Sequence, residues 1–369
     1  MKKIDNNNMK QYYLKMYDSR HNLLDNSINN ICDLKYQTVL NGQGYCEFSI
    51  PRDEPKCSNK LMFPTNHVEV YNMNHELLWY GVISRRVFSG SILQISCVGY
   101  EWLLGSRIFR NDITFYDKHY GRLIELMVGT VQGYDIKLPL PITMGKVIEN
   151  DLITTREIKS GDVLKDKIDE YIEDSNYYYN VDDQLRLNVS YSVGEKKDYL
   201  KLIYDQEGYS NIIDLPEIEE NLDDIYNNIY AHSEFDQDTG EGNDKVKVVL
   251  DYDKHDMYSI TLYGLREKKL SVNDIHLMET LKSKVGQELD ICKFPNISLT
   301  LKCVDSALCP MNQVKVGDYI TVEIPYYFGF KNIIRVLEIE RDCKTDEYTL
   351  TMGSLVYRPQ KPQIKKYKN

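Results

Sequence analysis

The residues best suited to metal chemistry are the histidines, and their spacing argues against a zinc site. His75 and Glu76 open the segment His-Glu-Leu-Leu-Trp, in which Trp79 stands four positions after His75. The zinc motif of metalloproteases needs a second histidine there, because two imidazoles one helical turn apart bind the ion from one face. The seven histidines show no ligand spacing and lie at positions 21, 67, 75, 119, 232, 255 and 276. We therefore predict no metal site and no cofactor.

An acidic stretch at residues 236–244 is superficially similar to a calcium-binding loop. It contains three aspartates, one glutamate and two glycines. An EF-hand loop needs glycine at its sixth position and glutamate at its twelfth. Counted from Asp236, those positions hold Glu241 and Lys247. We interpret the stretch as the tip of a hairpin.

Neighbouring carboxylates at Glu219–Glu220 and Asp223–Asp224 are the candidates for glycosidase chemistry. That reaction needs two carboxylates roughly 5–10 Å apart across a sugar-binding groove. A chain with 56 acidic and 45 basic residues supplies adjacent pairs by chance. The sequence also lacks the serine-hydrolase elbow, the phosphate-binding glycine loop and the dinucleotide fingerprint. We predict no catalytic residues and a protein that is not an enzyme.

The formal net charge of −11 argues against tight nucleic-acid binding. Affinity for a duplex comes mainly from cationic side chains that neutralise phosphates. An acidic surface serves solubility, and it also suits a conduit through which nucleic acid slides without sticking.

The cysteines and the apolar runs indicate where the chain is made. Eight cysteines are scattered, several of them in strand-like segments, and none forms a Cys-x-x-Cys motif. This pattern is typical of reduced thiols in a cytoplasmic product. No run approaches 18 apolar residues and no secretory signal opens the chain, so we predict no membrane span.

The two ends of the chain carry the same four-strand pattern. In the first, alternating or apolar segments lie at 46–50, 67–71, 77–86 and 92–99. In the second, they lie at 297–303, 318–324, 333–342 and 348–353. Alternation with a period of two and short polar turns predict antiparallel strands. A duplicated β-unit with no catalytic motif between its copies indicates architecture rather than chemistry.

Between these units the pattern changes to a mixture of helices and strands. Helical spacing of apolar residues at 120–131 and again at 163–172 predicts two helices. Strands resume at 177–181 and 184–191, and a hairpin is expected at 227–235 and 245–251. A helix over 273–291 leads into the second four-strand unit.

One loop stands out as a candidate contact surface. The segment from Pro325 to Lys331 places aromatic side chains at a hairpin tip, namely Tyr326, Tyr327, Phe328 and Phe330. Exposed apolar clusters often mark a partner surface. The alternative is a tip that folds back onto its own β-unit.

The order of these segments resembles the tail-hub proteins of tailed bacteriophages and of related contractile injection particles. That group includes the T4-type baseplate hub and the tail-associated proteins of siphophages. The likeness covers roughly residues 30–356. It is carried by segments 47–51, 78–83, 97–103, 259–267, 316–322 and 334–342. The succession of a strand, Tyr263–Gly264, Arg266–Glu267, a helix, a strand and Gly317–Asp318 is its most specific part.

The resemblance implies a mainly β fold with two tube-type antiparallel β-barrel domains and an α/β insertion that is mainly helical. It implies a homotrimer whose six barrels match a six-fold tail tube and offer three-fold symmetry to a spike. The implied partners are the tail tube protein, a spike or tail-tip protein and other baseplate proteins. The implied location is the virion tail or the baseplate of an injection particle, assembled in the bacterial host cytoplasm. Relatives with wall-digesting extensions differ, because this chain ends shortly after its second unit.

On this basis we expect five segments. Residues 1–105 form the first barrel, completed by strands from 177–215, and residues 106–176 form the helical insert. Residues 177–220 return to the first barrel or the insert, residues 221–356 form the second barrel with helix 273–291, and residues 357–369 form a basic extended tail.

Two other functions remain open from the sequence. The first is a carbohydrate-binding tail or surface protein, in which tyrosine and tryptophan rings stack on sugars. The second is a wall-lytic tail-tip enzyme, which would need an acid pair or a metal triad. The leading hypothesis is a structural hub that joins tail tube to spike around a central channel, through which DNA passes if the particle carries it.

Overall fold

The computed structural model describes residues 11–134, 140–149, 153–175, 177–206, 208–238, 245–272 and 275–353. The expected basic tail at 357–369 lies outside these residues, and so does the tip of the acidic hairpin at 239–244. The mainly β fold class with a helical insert is confirmed.

The first β-unit is built from seven antiparallel strands. They are β1 (Tyr12–Tyr17), β2 (Leu23–Ile28), β3 (Asp33–Val39), β4 (Tyr45–Pro51), β5 (His67–Asn72), β6 (Leu77–Ser89) and β7 (Ile92–Val98). They pair in the order β3-β4-β7-β6-β5-β1-β2. Alternate side chains such as Cys46, Phe48 and Ile50 are buried in one core, as the period of two predicts.

The insert combines two helices with two small sheets. Its elements are β8 (Ile113–His119), α1 (Tyr120–Gly133), β9 (Thr143–Ile148), β10 (Ile153–Ile158), α2 (Leu164–Ser175), β11 (Tyr178–Val181) and β12 (Arg186–Ser190). β8 pairs with β10, while β12 lies between β11 and β9. The apolar stripe of α1, which includes Leu123, Met127 and Val131, is buried against this layer. Both predicted helices are confirmed.

The rest of the chain holds the second β-unit and a separate small layer. Its elements are β13 (Lys196–Ile203), β14 (Glu217–Asn221), β15 (Asn228–Asp238), β16 (Lys245–His255), α3 (Met257–Tyr263), β17 (Glu267–Ser271), α4 (Met278–Cys292), β18 (Asn296–Val304), β19 (Tyr319–Ile324), β20 (Phe330–Asp342) and β21 (Glu347–Gly353). The second unit comprises β13, β14 and β18–β21. The predicted hairpin is the antiparallel pair β15–β16.

Two expectations about element placement are wrong. β13, predicted to return to the first unit or to the insert, pairs in parallel with β19 of the second. Its alternate residues Leu200 and Leu202 are buried in the second core, which fixes that choice. The helix α4 does not pack in the second unit, because Leu281 and Val285 are buried against Ile229 of the β15–β17 sheet.

The two β-units form one continuous sheet rather than two separately closed barrels. β3 of the first unit pairs antiparallel with β20 of the second, from Val39–Glu338 to Lys35–Asp342. The resulting thirteen-stranded sheet runs from β14 through both units to β2. Within the described residues, the strand pairing closes no ring around either unit. We call the β3–β20 contact the internal junction.

Candidate assembly surface

The internal junction is the place where the two units act on each other most directly. Leu40 donates its backbone N–H to the Leu337 carbonyl at 2.9 Å, and Cys343 donates to the Leu34 carbonyl at 3.0 Å. In an antiparallel ladder, alternate residues turn their backbone groups to the same neighbour. The even-numbered residues of β3 therefore make their backbone hydrogen bonds to β20. Gln37 is odd-numbered, so Gln37 and Glu340 form a non-hydrogen-bonded pair.

Side chains add charged and polar contacts across the junction. Lys35 Nζ lies 2.7 Å from Glu340 Oε1, and Gln37 Nε2 donates to Glu338 Oε2 at 2.9 Å. Tyr45 donates its hydroxyl to Glu340. Burial, and then this bond to the carboxylate, raises the pKa of Tyr45 well above its usual value. The hydroxyl therefore stays protonated and remains a donor at any physiological pH.

The junction belongs to a sheet with one apolar face and one polar face. Tyr36 and Ile339 belong to the buried face, and Lys35, Gln37 and Glu340 lie on the other. The register continues this polar face across β14, β18, β21, β4, β7 and the second half of β6. Its carboxylates are Asp33, Glu47, Glu217, Glu219, Glu338, Glu340, Asp342 and Glu347, and its basic side chains include Lys35, Arg85 and Lys302. The polar face is therefore predominantly acidic.

The aromatic loop between β19 and β20 divides into two parts. Tyr327 and Phe330 are half-buried and pack against the core of the second unit. Tyr326 is 63% exposed, and Phe328 is fully exposed with a positive φ of 49°. The turn is held by the Tyr327 N–H, which bonds to the Ile324 carbonyl at 3.0 Å. Two of the four aromatic side chains therefore fold back onto the second unit and two are exposed, and contact of the exposed pair with a partner stays a prediction.

A buried arginine connects the insert region to the second unit. Arg335 is 3% exposed, and its guanidinium donates to the carbonyls of Gly317 at 3.1 Å and of Val193 at 2.9 Å. It also donates to the hydroxyl of Tyr178 on β11. Nothing in the sequence marks this residue, because an arginine in a β-strand gives no signal of what it will contact.

The internal junction was also missed, although part of its signal is visible. Glu338 and Glu340 alternate on β20, and Lys35 and Gln37 alternate on β3. Complementary polar rows of this kind stabilise neighbouring strands. The sequence does not show which strand neighbours which when they lie at opposite ends of the chain.

Two features are absent from the described residues, a cluster of metal-ligating side chains and a membrane-spanning helix. No group of three or more His, Cys, Asp and Glu side chains there is arranged to hold an ion. No helix in that part of the chain is both long and apolar enough to cross a bilayer.

Solved structures of phage tail proteins share this fold. A tail protein from Neisseria meningitidis MC58 superposes with a TM-score of 0.63 at 12% identity, covering 93% of this chain and 96% of that one. The prophage tail protein gp18 from Listeria monocytogenes EGD-e gives 0.62 at 11% identity, covering 92% and 94%. The 43 kDa tail protein of prophage MuSo2 from Shewanella oneidensis gives 0.58 at 10% identity, covering 93% and 98%. The expected resemblance to tail proteins is confirmed in the fold.

Sequence comparison adds nothing to this. No protein-family model matches the chain, and no curated protein matches it. At 10–12% identity, a common fold is what these neighbours establish.

Proposed function

We propose that this protein is a structural hub of a phage tail or injection-particle baseplate, and that three copies form a ring between the tail tube and a spike or tail tip. The internal junction is the observation that carries the proposal. It sets two β-units of the same design side by side in one sheet. Three copies supply six such units, which suits contact with a six-fold tube on one side and a three-fold partner on the other. Head-to-tail contacts between subunits close a ring of this kind.

The polar face of the sheet is the surface we assign to the channel. Its carboxylates outnumber its basic side chains, and Glu47, Glu217 and Glu219 are exposed. An acidic wall repels phosphates, so nucleic acid would pass without being held. The protein acts by shape and charge in this proposal, and we assign it no catalytic residue.

The aromatic loop is the surface we assign to the spike or tail-tip protein. Tyr326 and Phe328 expose large apolar rings at the end of a hairpin that Tyr327 and Phe330 anchor to the core. Because the hairpin is anchored, its backbone loses little conformational entropy when the two exposed rings bind a partner.

The test is the assembly state of the full chain, measured by light scattering and electron microscopy, alone and with the tube and spike proteins of the same particle. A ring of three copies with a central hole is the expected result. A chain that stays monomeric with both partners present would overturn the hub function. In that case, binding to host-wall polysaccharide would test the carbohydrate-binding alternative.

A further inference from the structure

The two β-units correspond residue by residue, and a pair of bulges fixes the alignment. The β6–β7 ladder has a bulge at Ser84, and the β20–β21 ladder has one at Leu337. In the first unit the residue before the bulge, Ile83, exchanges two backbone hydrogen bonds with Thr65 and Asn66, which directly precede β5. In the second unit Val336 does the same with Gly317 and Asp318, which directly precede β19. The bond lengths are 2.8 and 2.9 Å in the first unit and 2.7 and 2.8 Å in the second. Ser84 is therefore the counterpart of Leu337.

The same alignment makes β14 the counterpart of β3. β3 pairs antiparallel with β4, and β14 pairs in the same way with β18. Tyr36 lies opposite Cys46, and Ile218 lies opposite Leu299. Cys46 pairs with Cys97 on β7, and Leu299 pairs with Met352 on β21. Cys97 and Met352 are equivalent because they lie opposite Ile83 and Val336. Ile218 is therefore the counterpart of Tyr36.

One strand edge is covered in the second unit and uncovered in the first. β3 pairs with the half of β20 that follows the bulge, from Glu338 to Asp342. The equivalent half of β6, from Arg85 to Ser89, pairs with β7 alone among the described strands. β14 likewise pairs with β18 alone in that part of the chain and ends the sheet. Open edges of this kind are templates for another strand.

We propose that β14 of one copy pairs with the second half of β6 of another copy, in the register in which β3 pairs with β20 inside the chain. The proposal rests on the proposed ring and specifies its subunit contact. The alignment places Glu219 opposite Val87 of the second copy, Ile218 opposite Phe88 and Glu220 opposite Arg86. Glu219 then lies diagonal to Arg85, as Gln37 lies diagonal to Glu338 at the internal junction.

Charge supports this pairing. β14 presents Glu217, Glu219 and Glu220, all exposed, while β6 presents the exposed Arg85 and the half-buried Arg86. Arg86 also donates to Asn59 Oδ1 at 2.7 Å, so we assign the main electrostatic role to Arg85. Opposite charges on facing strands stabilise their contact, and like charges oppose it.

The same charges determine whether β14 pairs with the edge of β6 or with the equivalent edge of β20. At the internal junction the acidic residues Glu338 and Glu340 belong to β20, and the basic residue Lys35 belongs to β3. At the proposed contact the signs are reversed, because β14 is acidic and β6 is basic. β14 would therefore be repelled by a β20 edge, and this repulsion distinguishes the two otherwise similar edges.

An apolar contact completes the match. Phe88 is 60% exposed near the end of β6, and Ile218 is half-buried at the margin of the second core. Their counterparts Arg341 and Tyr36 are directly opposite each other at the internal junction. Pairing would cover the Phe88 ring with an aliphatic side chain and remove it from water.

A disulfide tests the register. Glu219–Val87 is equivalent to the non-hydrogen-bonded pair Gln37–Glu340, in which Cα atoms lie about 4.5 Å apart, within disulfide range. The variant Glu219→Cys/Val87→Cys should form disulfide-linked oligomers up to three chains under mild oxidation. The control Glu219→Cys/Phe88→Cys places the thiols on opposite faces and should cross-link at least about fivefold less, because its sulfurs cannot meet. Oxidising each single-cysteine variant in parallel measures the cross-linking that comes from the native cysteines.

Charge reversal tests the selectivity. Arg85→Glu should weaken self-association about tenfold or more, since it replaces the attraction between Arg85 and the diagonal Glu219 by repulsion. Arg85→Glu/Glu219→Arg should restore it. The control Lys302→Glu, on the same polar face but inside the sheet, should leave association unchanged.

The outcomes separate this inference from the hub function. A trimer that does not cross-link at 219–87, or that cross-links equally in the control, would overturn the register while the hub function stands. A trimer whose association survives Arg85→Glu would overturn the charge-based selection of the edge. A chain that remains monomeric with its tube and spike partners would overturn both proposals.

Discussion

Lys35 Nζ and Glu340 Oε1 lie 2.7 Å apart and join β-units from opposite ends of the chain. Lys35→Glu would place a third carboxylate beside Glu338 and Glu340. We expect a loss of about 1 kcal/mol in the free energy of unfolding, because the pair is partly exposed and screened. Denaturant unfolding of the single variants and of Lys35→Glu/Glu340→Lys completes a double-mutant cycle. A double variant no more stable than the sum of the single effects would show that the ion pair contributes nothing.

Gly99 lies so close to the loop after β3 that one methyl group added at this position should destabilise the fold. A Cβ at Gly99 would lie 1.9 Å from the Gln43 carbonyl oxygen. Gly99→Ala should therefore cost at least about 1–3 kcal/mol, because the backbone must move. Gly129 is the matched control, since it is exposed in α1 and a Cβ there meets nothing within 4 Å. Gly129→Ala should stabilise the chain by about 0.5–1 kcal/mol. Thermal unfolding of the two variants should shift in opposite directions.

Glu101 predicts a pH dependence of stability. Burial raises its pKa to about 7, although Val181 donates its backbone N–H to the carboxylate at 2.9 Å. In the unfolded chain the carboxyl has its ordinary pKa of about 4.5. The folded state therefore holds this proton more tightly, so stability falls as the pH rises from about 4.5 to about 7 and then levels off.

The variant Glu101→Gln keeps an acceptor for Val181 and removes the titration. It should stabilise the chain by about 1–3 kcal/mol at about pH 8 and leave it nearly unchanged at about pH 4. Denaturant unfolding at both pH values measures this. An equal effect at both would show that Glu101 is not the titrating group.

Arg335 predicts that lysine cannot replace arginine at this buried position. Its guanidinium reaches the Gly317 carbonyl and the Val193 carbonyl at once. Lysine has a single ammonium and cannot span both, so a buried carbonyl would lose its donor. Arg335→Lys should cost about 2–3 kcal/mol in the free energy of unfolding. Arg341→Lys near the end of the same strand, where the guanidinium donates to Asp346 Oδ1 at 2.8 Å, is the comparison, and an equal loss there would contradict the special role of Arg335.

The sequence patterns predicted the helices and strands well, but they did not predict which strands pair with each other. The alternation of Cys46, Phe48 and Ile50 identified a strand because each strand buries one face locally. The placement of β13 failed, since Leu200 and Leu202 fit either core and only tertiary packing decides between them. Glu219 and Glu220 are candidate catalytic carboxylates by sequence alone, whereas their place on an open edge follows only from the register with β18. Which residues form a strand, and which of them face the core, can be predicted from the local sequence. Which strand lies beside it in the sheet cannot.

The aromatic loop allows a binding surface to be separated from a stabilising one. Phe328 is fully exposed, so Phe328→Ser should leave the free energy of unfolding unchanged within about 0.5 kcal/mol. Phe330, two residues away, packs on the second core, so Phe330→Ser should cost about 1–3 kcal/mol. If the exposed rings contact the spike or tail tip, Phe328→Ser should weaken that binding about tenfold. Titration calorimetry with the spike protein, beside thermal unfolding of both variants, measures the two effects. Full binding by Phe328→Ser would assign the contact elsewhere, while a large loss of stability in that variant would show that the ring is not free in solution.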